Sequence, residues 1–255
     1  MTIVAVTGDV STTTSVALAA SWPASDDVVL VEADPSGGDL AAWFDLPVAP
    51  SLSTVVTRVL DGAWPEIERH TRLADNGLRI LPAPSGTAEA TQALGESARA
   101  VVPALAAMRM PVVVADVGRL GAGPTTNPFL AAAAVTVVVH RQSTQSSRAA
   151  AVRLQRLVEQ LDRLAGAPTA VVVAVVGANP FSIDEIERFV ADGAGALPVV
   201  GLPVDELAAA VLAGRSGVSE RRLARLPLMR AAASLAAAAE RALAPSSAER
   251  WKAAR

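Results

Sequence analysis

Residues 6–15 read VTGDVSTTTS, set between an apolar run, TIVAV at 2–6, and an Ala-rich segment. A β-branched run, a glycine and a cluster of hydroxyls opening a helix form the layout in which backbone N–H groups and a helix dipole meet a phosphate. The stretch contains no lysine, and the whole chain has one, Lys252. Its hydroxyls therefore admit two roles. Ser11 to Thr14 either keep a phosphate contact or cap the first helix, where an N-cap hydroxyl is worth ~1 kcal/mol with no ligand at all.

Outward from this stretch, short β-branched runs recur at 27–32 (DVVLVE), 78–81 (LRIL), 111–116 (PVVVAD), 134–140 (AVTVVVH), 170–176 (AVVVAVV) and 197–202 (LPVVGL). They are continuous rather than alternating, as strands covered on both faces are. Helical segments separate them at 12–20, 87–108, 146–165, 182–191, 204–213 and 227–244. This alternation predicts an α/β fold, a Rossmann-like three-layer αβα sandwich on a mainly parallel sheet of about seven strands. Pro and Gly mark the joints at PSGG 35–38, PAPSG 82–86, GAGP 121–124 and GANP 177–180, none long enough for an interdomain linker. Residues 1–245 therefore read as one domain, and the tail 246–255 is the one segment whose composition points to disorder.

Composition narrows the function classes. With 51% apolar residues in 255, the chain can bury one substantial core. A net charge of -3 excludes a polybasic nucleic-acid coat, although residues 1–100 carry 13 acids against 5 bases and residues 101–255 carry 12 against 17. Absence of cysteine removes disulfides, thiolate nucleophiles and Cys-based metal sites. His70 and His140 are the only histidines and lie far apart, so each reads as a solvated or partly buried side chain rather than a zinc ligand. The N-terminus lacks a basic n-region, and runs such as AVVVAVVGA at 170–178 fall short of the ~18 residues of a membrane span. A cytoplasmic location follows as the expectation. Leu228, Ala232, Leu235, Ala239 and Leu243 form one stripe on the last helix, and its small residues suit packing on the sheet better than peripheral membrane contact.

Three segments carry a family resemblance: VTGDVSTTTS, VLVEADPSGGDLA at 29–41 and VVVADVGRLG at 112–121. Together they resemble the MinD/ParA group of P-loop ATPases, whose deviant Walker A loop reads about KGGxGK[ST]T. The resemblance implies a P-loop NTPase fold and places Gly8, Asp9, Val10, Ser11, Thr12, Thr13 and Thr14 around a nucleotide. It puts Thr7 at the signature lysine, Thr12 at the Walker lysine, and Thr13, Asp34 and Asp116 around Mg²⁺. Asp34 would be the acid associated with the attacking water, Glu32 the first acid of its segment, and Gly118 the glycine of the second switch. Later in the chain, GANP places Asn179 against the adenine, and GLPVDELAAAVLAG at 201–214 places Asp205 at the acid after the last strand.

The departures bear on activity. A hydrogen bond from a charged donor is worth ~1.5–3 kcal/mol, so one missing Walker lysine weakens phosphate binding roughly 10- to 150-fold. Both lysines are missing, and Asp9 brings a carboxylate to the place a phosphate would take. Asp9 and Ser11 also replace glycines that let successive N–H groups form an anion nest. The resemblance therefore implies weak ATP, ADP and Mg²⁺ binding or none. It also implies a noncatalytic homodimer acting through protein partners in cell division, chromosome partitioning or assembly of a surface apparatus. The alternative is an ATP-dependent dimerising switch that borrows its cation from Arg119, Arg141 or Arg148. Arg215, Arg221, Arg222, Arg225 and Arg230 make a basic stretch that reads first as a solvated face and second as a nonspecific DNA contact.

Overall fold

The computed structural model describes residues 1–23, 27–61, 70–74, 77–95, 101–106, 112–120, 127–142 and 146–243. Its strands are β1 (Thr2–Gly8), β2 (Val28–Glu32), β3 (Arg72–Leu73), β4 (Arg79–Leu81), β5 (Val112–Asp116), β6 (Val135–Arg141), β7 (Ala170–Val176) and β8 (Val199–Leu202). They form one sheet in the order β3-β4-β2-β5-β1-β6-β7-β8. Every neighbouring pair is parallel except β3 with β4. Seven of the eight are the β-branched runs of the sequence. The eighth, β3, is two residues long at the edge, too short to leave a pattern.

The helices are α1 (Ser11–Ala20), α2 (Leu40–Trp43), α3 (Leu52–Leu60), α4 (Thr87–Ala93), α5 (Val101–Ala106), α6 (Pro128–Ala131), α7 (Ser147–Leu164), α8 (Ile183–Ala194), α9 (Glu206–Leu212), α10 (Glu220–Leu223) and α11 (Pro227–Ala242). One expectation needs correcting: 87–108 is not a continuous helix. Leu94 closes α4 with φ -93° and ψ 3°, and Gly95 donates its N–H to the Gln92 carbonyl at 3.2 Å. Glycine is a poor helix residue, and the next described helical residues, from Val101, belong to α5. The tail 246–255 and the GAGP joint lie outside the described residues.

Alternate side chains of each central strand enter opposite layers. Val4, Val6, Val137 and Val139 face a core shared with α1, α9 and α11, while Ile3, Ala5 and Val113 face α3, α5 and α6. Val138, Val173 and Val175 complete that second face under α7 and α8. In α11 the stripe Leu228, Ala232, Leu235 and Ala239 is buried against this sheet core, and Leu243 is half-buried beside it. Among the described residues no helix is long and apolar enough to cross a membrane.

The strand order also fixes where a ligand can sit. From β1 the chain passes through α1 to β2 on one side of the sheet order, and from β6 it passes through α7 to β7 on the other. Connections that diverge from adjacent parallel strands leave a crevice at their carboxyl ends. Phe129, the largest fully buried side chain among the described residues, anchors α6 under the β1 and β5 side of this arrangement. Phe129→Ala is expected to lower unfolding free energy by about 3–5 kcal/mol, read from urea midpoints of the two proteins.

Candidate functional site

β1 ends on Gly8, at φ 115°, where a Cβ would strike the Val139 carbonyl of β6. Only glycine lets the two strands close this tightly. Asp9 donates its N–H to that carbonyl at 2.9 Å, and its Oδ2 accepts the Arg141 N–H at 3.3 Å. Val10 then takes the N-cap position of α1 in the left-handed region, φ 49° and ψ 36°, with no side-chain cap bond. For a β-branched residue that conformation costs ~1–3 kcal/mol and persists only where the surroundings enforce it.

The hydroxyl run does not cap the helix, which corrects that part of the sequence reading. The N-cap falls one residue earlier, on a side chain with no oxygen to offer. Thr14 Oγ1 donates back to the Val10 carbonyl at 3.1 Å, and the hydroxyls of Thr12 and Ser11 lie against the Asp116 carboxylate. Thr13 sits half-buried in the same first turn. Thr7, wholly buried, donates its Oγ1 to the Gly118 carbonyl at 2.8 Å, and the Gly8 N–H donates to the same oxygen at 3.0 Å. Both positions where the resemblance expects lysine thus carry short hydroxyls spent on internal contacts.

Three acids stand at the carboxyl ends of β2 and β5. Glu32 and Asp116 are register partners across the parallel pair, and both are buried. Glu32 does not face a ligand. Its Oε1 accepts the N–H groups of Asp39 (2.7 Å) and Leu40 (3.0 Å) at the start of α2, and its Oε2 accepts that of Ala83 (3.0 Å). Burial pushes its pKa up to about 7, against the pull of those three donors, with the neighbouring Asp116 adding to the rise. Burial likewise raises Asp116, while Thr12, Ser11 and the Gly118 N–H favour its charged form and Asp34 opposes it. One oxygen of Asp116, Oδ2, is buried with no partner in hydrogen-bonding geometry. Asp34 makes a turn by accepting the Ser36 N–H at 2.7 Å, and its carboxylate lies where a Cβ on Gly118 would be.

Two clefts open in the crevice between β1 and β6. The wider, about 600 Å³, is lined by Asp9, Val10, Arg119, Arg141, Arg153, Asn179, Pro203 and Val204 among others. Gln142 shapes it by donating Nε2 to the carbonyls of Gly177 and Phe181, each at 2.8 Å. Asn179 therefore shares a wall with the loop. Asp205 does not. Its carboxylate accepts the N–H groups of Ala208 (2.9 Å) and Leu228 (3.3 Å), capping α9 and tying the start of α11 to it. Arg148 is exposed and lines neither cleft, whereas Arg153 and Arg156, which sequence reasoning passed over, do. Their signal was the three-residue spacing on a helix following a central strand. All five arginines from 215 to 230 are exposed.

The architecture has well-defined counterparts. A ParA family ATPase from Chlorobium tepidum superposes with a TM-score of 0.67 at 15% identity, over 92% of this chain and 97% of that one. MinD in the MinC:MinD cell division complex of Aquifex aeolicus gives 0.62 at 16%, over 93% and 94%. A cobyrinic acid a,c-diamide synthase from Mycobacterium smegmatis, with bound ADP and magnesium, gives 0.61 at 22%, over 100% and 97%. No family model and no curated protein sequence matches the chain. The fold is thus that of MinD/ParA-like P-loop ATPases, and at these identities it is the fold that is shared.

The loop carries no lysine, its first-turn hydroxyls of Ser11 and Thr12 lie on the Asp116 carboxylate, and the Asp9 carboxylate stands at its mouth. Among the described residues no group of three or more acids and histidines is placed to hold a metal ion.

Glu32 makes the site pH-sensitive. A carboxyl group whose pKa rises on folding, here from 4.5 to about 7, contributes stability that is complete below the lower value and lost as pH climbs through the higher one. Between about pH 5 and about pH 8 the wild type should lose on the order of 3 kcal/mol more than Glu32→Gln, read as the difference in slope of their denaturation profiles.

Proposed function

We propose that this chain is a MinD/ParA-like pseudo-ATPase, a noncatalytic regulatory or positioning protein that works by binding protein partners. Its setting on this reading is cell division, chromosome partitioning or assembly of a surface apparatus in the cytoplasm. Residues 1–245 act as one P-loop-type domain, supported by the single sheet that runs from β1 to β8. The observation that carries the reading is the inward fate of positions 7 and 12: Thr7 is hydrogen-bonded to Gly118, and Thr12 lies on Asp116. Phosphoryl transfer rests on positioning and charge stabilisation, and this loop supplies neither a lysine nor a glycine nest. Dimerisation, on this reading, proceeds without ATP. The exposed arginines from 215 to 230 form a solvated face, since five charges on a net-negative protein give weak, salt-sensitive DNA contact at best.

A second reading, an ATP-driven switch with unconventional phosphate contacts, draws on one observation. Arg119, Arg141 and Arg153 line the same cleft as Asp9, Val10 and Asn179. Calorimetry with ATP and Mg²⁺, light scattering with and without nucleotide, and phosphate release separate the two. The wild type is expected to give no nucleotide-dependent dimer and no phosphate release. Release abolished by Asp34→Ala or Asp116→Asn would establish the switch instead. Restoring the loop with Thr7→Lys, Asp9→Gly, Ser11→Gly and Thr12→Lys together should raise ATP affinity at least ~10-fold over wild type.

A further inference from the structure

The second cleft lies on the far side of residue 9 from the hydroxyl run. It measures about 290 Å³ and is lined by Gly8, Asp9, Arg119, His140, Arg153, Arg156 and Gln160 among others. None of Ser11, Thr12, Thr13 or Thr14 reaches it. Arg153 and Arg156 project from one face of α7, three residues apart, and Arg119 comes from the loop after β5. None of the three has an ion-pair partner among the described residues. Three guanidinium groups gathered around a concave space with the single carboxylate of Asp9 repel one another unless a further anion joins them.

We propose that this cleft binds a phosphate-bearing dianion, held by Arg119, Arg153 and Arg156 and oriented by Gln160 and His140. Charge bookkeeping favours a dianion over a single carboxylate: three guanidinium groups against the one carboxylate of Asp9 leave two positive charges to neutralise. Size points the same way, since the volume lies at the small end of ligand sites and suits a phosphate head with a short substituent. An independent observation comes from His140. It is 96% buried, lines the cleft, and its Nε2 has no hydrogen-bond partner. Burial lowers its pKa, and Arg153 lowers it further while Asp9 acts in the opposite direction. The protein thus offers Nε2 no hydrogen-bond partner of its own, leaving it free to meet a ligand in the cleft. Arg–phosphate pairs are commonly bidentate, each guanidinium offering two N–H groups to one phosphate, and Arg153 and Arg156 bring two such forks to the cleft from one helix.

The site is independent of the reading as a pseudo-ATPase, and its test needs neither nucleotide nor Mg²⁺. The full chain is titrated with inorganic phosphate in about 0.15 M salt, where diffuse attraction is screened, while NMR follows the imidazole resonances of both histidines. His140 should shift saturably, and His70 serves as the control within the same molecule. Joint Arg153→Ala and Arg156→Ala substitution, on an exposed helix face, should weaken the titration tenfold or more, whereas Arg230→Ala leaves it unchanged. A phosphoserine peptide forms the second arm. Tighter binding than inorganic phosphate assigns the group to a phosphorylated partner, and equal or weaker binding assigns it to a small phosphate ester. Absence of a saturable His140 shift, equal movement of both histidines, or the same curve in the double variant overturns the site.

Discussion

The carbonyl of Gly118 accepts two hydrogen bonds from the end of β1, one from the Thr7 hydroxyl and one from the Gly8 N–H. That single oxygen locks the loop after β5 to the loop after β1. The lock requires Gly118 at φ 66° with the Asp34 carboxylate pressed where a side chain would begin, so three segments distant in sequence are fixed by one peptide. In a loop built to respond to a ligand, position 7 would be free to reach outward. Here it is buried and its hydroxyl is committed, and the crevice takes its shape from that commitment.

Charge divides the crevice. On the β2 and β5 side stand Glu32, Asp34 and Asp116; Glu32 and Asp116 are buried, and beyond the effect of burial Asp116 raises the pKa of Glu32 while Asp34 raises that of Asp116. On the β6 and α7 side stand Arg119, Arg141, Arg153 and Arg156. Asp9 sits at the boundary and belongs to both clefts. An anion entering from solvent would be repelled by the acids and drawn to the arginines, away from the helix N-terminus that this fold ordinarily turns toward phosphate.

The fold was legible in the sequence because buried parallel strands are continuous apolar runs, and all seven such runs became strands in one sheet. What the runs could not reveal was whatever depends on a single residue. Gly95 breaks a helix that composition extends to 108, and β3 has two residues and hence no periodicity. The site was half legible. Asp34, Asp116 and Gly118 do converge, because each lies at or within two residues of the end of β2 or β5, which the sheet brings close together. Glu32 and Asp205 show what a motif leaves open: a carboxylate satisfies backbone N–H groups as readily as it meets a ligand, and sequence does not say which donors are near. Arg153 and Arg156 escaped notice because their partners across the cleft, His140 and Arg119, lie on other elements.

The architecture stands without a lysine in the loop for a reason visible in the packing. α1 is buried from Thr14 to Ala19 and rests on α11, α9 and the central strands, so its position owes nothing to a bound phosphate. The left-handed Val10, its side chain exposed, is held by the Thr14 N–H and hydroxyl on its carbonyl on one side and by the β6 contact of Asp9 on the other. A loop whose conformation rests on the core holds its shape without a ligand, and that shape is a surface between two divergent helices which a partner can read whether or not it holds a nucleotide.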